Sequence, residues 1–130
     1  MALIWTDFVR LLADEPLPAA IVDLDAVDRN VDRTLERIDG TGKTLRVASK
    51  SVRHVGLLRR ILARGAPDFA GLMCVTAEEA GFLADEGFDD LLVAYPTVRI
   101  RALAEIARIA AAGLYSCTSE VVSSPPDQSS

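Results

Sequence analysis

The sequence predicts an α/β fold in which strands and helices alternate. From Thr44 to Ala112, short runs of β-favouring residues give way three times to runs with helical spacing. Glycines and a proline punctuate the changes, at Gly40, Gly42, Gly65, Pro67 and Gly87. The chain has 130 residues, whereas a closed (β/α)8 barrel takes roughly 250. These observations predict a partial (β/α)8, TIM-type barrel: about three β/α units of a parallel sheet joined by right-handed crossovers, incomplete as it stands. Residues 1–18 read as an N-terminal helix and linker, 19–112 as the partial barrel, and 113–130 as a tail rich in Ser and Pro. That composition cannot bury enough apolar surface to offset chain ordering, so the tail is expected to be disordered.

Taken in order, Trp5 to Ala13 offers Phe8, Val9, Leu11 and Leu12 as the apolar side of a helix capped near Thr6 and ended by Pro16 and Pro18. Ala19 to Asp23 reads as a strand. Asp25 can cap a helix over about 26–38, with Val27, Val31, Leu35 and Ile38 on one face. Its other face is charged, and pairing of those charges along the helix surface accounts for them. Thr44 to Ser49 is a strand, and a helix of about Val52 to Arg64 turns Val55, Leu58, Ile61 and Leu62 inward. Arg59, Arg60 and Arg64 read as a solvated face of that helix. Phe69 to Cys74 is the next strand, with Met73 as core. Thr76 and Glu79 then form a capping box for a helix to about Glu86. Leu91 to Tyr95 is the last strand. Thr97 caps a helix to about Ala112, with Ile100, Leu103, Ile106, Ala107 and Ala110 as its inner face.

The chemistry centres on Lys50, which by residue type alone also reads as a strand-end lysine snorkelling into water. It ends the stretch T-L-R-V-A-S-K, at the C-terminal end of a strand, which is where parallel β/α folds gather their functional loops. By strand alternation Arg46, Ala48 and Lys50 share a face, and the small Ala48 leaves room for a flat ring beneath the amine. A lysine that condenses with a carbonyl must first lose a proton, which an apolar, partly positive pocket favours. Tyr95 falls at the same rim, where it reads either as lining a cofactor pocket or as packing on a neighbouring loop. His54 is placed one turn beyond Lys50, where it reads as a second site group or as a solvated or capping residue, and Arg46 lies below Lys50 on the strand. The G-K-T at 42–44 invites a nucleotide-loop reading but lacks both the upstream glycine and the strand-to-helix context.

Four blocks stand in this order: P-A-A-I-V-D-L-D-A-V-D-R-N at 18–30, R-V-A-S-K-S-V-R at 46–53, G-L-M-C-V-T-A-E-E-A at 71–80 and D-D-L-L-V-A-Y-P-T at 89–97. In them the chain resembles the N-terminal part of the alanine racemase N-terminal domain family, the fold-type III pyridoxal phosphate enzymes. It is most similar to the branch containing D-threonine aldolases, D-serine dehydratases and amino acid deaminases. The resemblance spans roughly residues 16–112 and implies a barrel that binds pyridoxal 5'-phosphate, with Lys50 as the internal aldimine lysine. Tyr95, His54 and Arg46 become candidate cofactor contacts, and the implied reaction is a lyase reaction on D-amino acids or β-hydroxy amino acids. Many members of the branch carry R-P-H-x-K where this chain has Val47 and Ala48 after Arg46, a departure that weakens a strict D-threonine aldolase or D-serine dehydratase assignment and leaves the cofactor assignment standing; aldol cleavage and dehydration both stay open. The resemblance also implies that later strands hold the cofactor phosphate and that a later domain supplies ligands for a divalent metal. Neither set is found in this sequence, so the fragment alone is expected to be inactive. A cofactor-binding module without catalysis, or an inactive remnant, is the alternative. The abrupt change of character at Gly113 is expected to come from a premature stop, a frame change or a gene-model error.

Nineteen acidic residues against fourteen basic ones give a net charge of −5, and the basic residues are scattered. Nucleic acid is therefore not an expected partner. Cys74 and Cys117 stand far apart, and the single histidine is too few for a histidine-rich metal site. The start, M-A-L-I-W-T-D-F, lacks the charged n-region of a signal peptide, and no apolar run reaches the roughly 18 residues of a membrane span. The expected setting is cytoplasmic, with a small amino acid substrate, no membrane partner and homo-oligomer formation left open.

Overall fold

The computed structural model describes residues 4–115. It is mixed α/β, with helices α1 (Trp5–Leu11), α2 (Leu24–Ile38), α3 (Val55–Gly65), α4 (Ala77–Asp85) and α5 (Ile100–Ala111) and strands β1 (Leu45–Ala48), β2 (Phe69–Cys74) and β3 (Leu91–Val93). The three strands form one parallel sheet in the order β1-β2-β3, with Val47 opposite Leu72, and Leu72 opposite Leu91. Among the described residues no helix is long and apolar enough to cross a membrane.

Alternation along the strands decides where the core lies. Leu72 and Cys74 of β2 and Leu91 of β3 are fully buried, and they pack with Leu58 of α3, Ala80, Leu83 and Ala84 of α4, Phe88 and Ile109 of α5. Val47 and Val93 lean on the same cluster, so this side of the sheet is the helix side. The other side carries Ala48, Met73 and Leu92, neighbours in register and each only half-buried.

On that second side β2 holds an extra residue. Leu45 pairs with Phe69 but Val47 pairs with Leu72, so Ala70 and Gly71 together face Arg46. Gly71 has φ +74, a left-handed backbone that glycine adopts freely. Across the gap Arg46 grips Asp90 at the foot of β3: Nη2 donates to Oδ1 at 2.7 Å, and Nη1 donates to the Asp90 carbonyl. A Cβ on Gly71 would collide with both partners.

The first helices follow their caps. Asp23, not Asp25, caps α2: its Oδ1 accepts the Ala26 N–H at 2.9 Å. Val31 is buried beneath α2, as the spacing predicts. The charged face of α2, however, pairs chiefly across to α3; along α2 itself Arg29 reaches the capping Asp23, at 3.9 Å. Arg60 forks onto Asp28 with both bonds at 2.7 Å, and Arg64 forks onto Asp32 at 2.7 and 2.6 Å. Arg60 and Arg64 are thus partners of α2, since two packed helices bring those rows face to face more directly than one helix can.

Four other expectations are corrected. Ala19 to Asp23 forms no strand, and Ile21 and Val22 are exposed; an extended segment without a neighbour has nowhere to send its backbone hydrogen bonds. The helix after Lys50 begins at Val55 instead of Val52, because Ser49–Ser51 is a 3-10 turn and Arg53 then takes φ +46. The inner face of α5 is Ala102 and Ile109, with Ile106 half-buried, while Ile100 and Leu103 are exposed. The small residues of α4 choose that face: Gly81 is buried against Glu105, and Arg108 of α5 donates to the Gly81 carbonyl at 3.3 Å. Leu114 and Tyr115, placed in the tail by composition, are half-buried against the core, and Tyr115 forms a parallel bridge with Leu91. Residues 116–130 of the expected tail, and Cys117 with them, lie outside the described residues.

Two outcomes follow from these contacts. Gly71→Ala should lose at least about 1–3 kcal/mol through backbone strain, measured by urea unfolding, since the alanine would also displace the Arg46–Asp90 fork. The guanidinium groups beside Asp28 and Asp32 hold both carboxyls below the usual carboxylate range, chiefly by hydrogen bonding. The stability they contribute is thus present above about pH 4 and lost as pH falls through the lowered values. Thermal midpoints recorded down a pH series should drop there, and should drop less in the Arg60→Gln, Arg64→Gln double variant.

Candidate functional site

Parallel strands put their C-terminal ends on one edge, and here that edge gathers the turn at Ser49–Ser51, the link Val75–Thr76 and the segment after Val93. Lys50 is exposed at this edge, in the 3-10 turn that follows β1. Strand alternation stops at Ser49, so Lys50 does not stack above Ala48 as a continued strand would have it. Among the described residues its ammonium makes no hydrogen bond or ion pair. Its backbone is closely held: the Ser49 carbonyl accepts the Val52 and Arg53 N–H groups at 3.0 and 2.8 Å, and Arg53 Nε donates to the Lys50 carbonyl at 3.3 Å.

The residue before it is buried. Ser49 is 1% exposed on the helix side, where its hydroxyl lies 2.8 Å from Glu79 Oε1 and 3.1 Å from the Met73 carbonyl. Glu79 Oε2 accepts the Val75 N–H at 2.7 Å. Thr76 caps α4 by accepting the Glu79 N–H at 3.1 Å, so half of the expected capping box is present. Its other half is diverted, with the Glu79 carboxylate spent on Ser49 and Val75. Ser49 and Glu79 were legible only as a strand residue and a cap; the signal that could have joined them is that alternation sends Ser49 inward, where a hydroxyl needs a partner.

His54 caps α3, its Nδ1 accepting the Leu57 N–H at 3.2 Å. That leaves the hydrogen of the neutral ring on Nε2. It is separated from Lys50 by the break at Arg53 and does not follow it by one helical turn. Between the starts of α3 and α4 an open cleft of about 550 Å³ is lined by Ser49, Arg53, His54, Leu58, Glu79 and Phe82, among others. Lys50 lies in the turn between two of these, with its own side chain in solvent. Tyr95 is 58% exposed and edges a smaller recess of about 160 Å³ with Thr76, Val93 and Arg99. Arg46 is engaged by Asp90 at the far end of the sheet. The structure therefore brings Lys50, His54 and Tyr95 to one edge, and keeps Arg46 in the body of the sheet.

Cys74 faces the core beneath this edge. Burial, with the Glu79 charge adding to it, pushes its thiol up to about 11. It is a packed hydrophobe and not a nucleophile. Among the described residues no three His, Cys, Asp or Glu side chains are grouped as metal ligands. Compared with models of protein families and with curated proteins, the chain matches none.

With the folded thiol titrating above its free value, folding stability should hold below about pH 9 and fall between about 9 and 11. In a Cys117→Ser background, a thiol reagent at pH 8 should modify Cys74 only after denaturant is added.

Proposed function

We propose that this chain is the opening part of a pyridoxal phosphate-dependent lyase acting on D-amino or β-hydroxy amino acids, its three β/α units being the first of a (β/α)8 barrel. The observation that carries the reading is Lys50: an amine without an ion partner among the described residues, on a tightly held turn at the C-terminal end of a parallel strand. Support for the barrel comes from the strand order, which follows the chain, with a helix between each parallel pair. It comes too from the half-exposed second side of the sheet, the exposed Ile100 and Leu103 of α5, and the return of Tyr115 to the outer edge of β3. A parallel sheet is ordinarily covered on both faces, as barrel closure would do.

The residues present fit the cofactor in part. Lys50 supplies the amine, and His54 and Tyr95 stand at the same edge. Holders for a phosphate are not assigned to any described residue. When bound, pyridoxal phosphate supplies an aldehyde that condenses with an amine, releasing water, and a ring that accepts electrons from bonds broken at Cα. This chain's own part is to present Lys50 on a closely held turn, to receive or return a proton at its Nζ, and to offer the His54 Nε2 hydrogen at the same edge. A single half-exposed wall also favours a second reading, in which the fragment takes up the cofactor without turning over substrate.

The chain contains two lysines, Lys43 and Lys50, and Lys43 lies before β1, at the opposite end of the sheet. Incubation with pyridoxal phosphate, borohydride reduction and peptide mapping should place the label on Lys50 in clear excess over Lys43, and Lys50→Ala should abolish that excess. Equal labelling of the two lysines, or none, overturns the assignment. Cleavage or deamination of D-threonine or D-serine by the labelled-competent protein favours the lyase; labelling without it favours the binding module.

A further inference from the structure

We propose that Glu79 and Ser49 form a positioning pair that fixes the turn from which the Lys50 amine projects, an inference that rests on the reading of Lys50 given above. An exposed lysine follows directly on a serine that is 1% exposed. The serine hydroxyl has one hydrogen and two acceptors, Glu79 Oε1 at 2.8 Å and the Met73 carbonyl at 3.1 Å, and it is shared between them. The second oxygen of the same carboxylate takes the Val75 N–H at 2.7 Å. One side chain from the first turn of α4 therefore fastens the exits of two strands, β1 through Ser49 and β2 through Val75. Its own backbone is fixed by the Thr76 cap.

The fastening passes to Lys50 through the turn. Ser49 offers its carbonyl to both Val52 and Arg53, and Arg53 returns a bond from Nε to the Lys50 carbonyl. Arg53 does this at φ +46, a backbone region that side chains other than glycine seldom occupy and that persists only where neighbours over-determine it. With Ser49 anchored below and Arg53 closing above, only the flexible arm of Lys50 is left free. Removing the carboxylate leaves the Val75 N–H without its acceptor and Ser49 held by the Met73 carbonyl alone, and the anchor of the turn loosens. Glu79 touches no reacting atom; it acts through Ser49.

The test compares the wild-type 130-residue chain with Glu79→Ala, Glu79→Gln and Ser49→Ala by two readouts. The first needs no cofactor: hydrogen exchange at the Val52 and Arg53 amides. The second is the rate at which pyridoxal phosphate and borohydride label Lys50, with Lys43 as internal control. Loss of a buried hydrogen bond to a charged group should speed exchange at those two amides by about tenfold or more in Glu79→Ala and slow Lys50 labelling by a similar factor, with Lys43 unchanged. Glu79→Gln, which keeps an acceptor for Val75 and a polar group for Ser49, should restore most of both. Ser49→Ala, a small truncation, should reproduce the Glu79→Ala effect and serves if that variant fails to fold. A variant that leaves exchange and Lys50 labelling as in the wild type overturns the positioning role, as does one that slows both lysines alike. A wild type that is not labelled at Lys50 overturns the cofactor reading instead, and the exchange data still judge the anchor.

Discussion

Two side chains on the central strand, Leu72 and Cys74, decide which way the sheet faces. Both are fully buried, and register carries their choice sideways, to Val47 on one neighbour and to Leu91 and Val93 on the other. It also carries the choice forward along β1. Once Val47 points to the helices, Ser49 must follow, because alternate residues share a side. A hydroxyl driven into that layer requires partners, and the Glu79 carboxylate and the Met73 carbonyl provide them. The chain then leaves the strand by a 3-10 turn, and the next residue, Lys50, emerges into solvent. The placement of the amine is thus a consequence of apolar burial three positions earlier, at Val47.

Much of this was legible from residue order. Strand β2 has the bounds that its composition predicts, and Thr76 caps α4 as its spacing with Glu79 requires. The misses have local causes. Ala19 to Asp23 has strand-like composition, but pairing depends on a neighbour that composition cannot supply. The stripe on α5 was found by its period, yet a period names several faces; the alanines and Gly81 of α4 selected the one that could approach closely. The start of α3 moved because a lone arginine, Arg53, accepts a left-handed backbone, something no propensity anticipates.

The edge where Lys50 stands was legible too, for strand-to-helix order fixes which end of the sheet a residue occupies. What surrounds Lys50 there was not. Glu79 reads in sequence as half of a capping box, and its carboxylate is reassigned only when β1 and α4 meet. Arg46 shares a strand with Lys50, but the missing side chain at Gly71 opens a path to Asp90, and the guanidinium is drawn down the sheet. In both cases a partner more than twenty residues away, invisible to local pattern, decides the role.

The order of the strands in space repeats their order along the chain, and after α5 the backbone comes back beside β3 at Tyr115 in the same direction. Such an arrangement grows by accretion: each new unit needs only the one just made, and no late segment must thread between two early ones. Loop closures stay short at every step, which keeps the search brief. During synthesis the amino-terminal units could therefore settle in sequence while later residues are still being added.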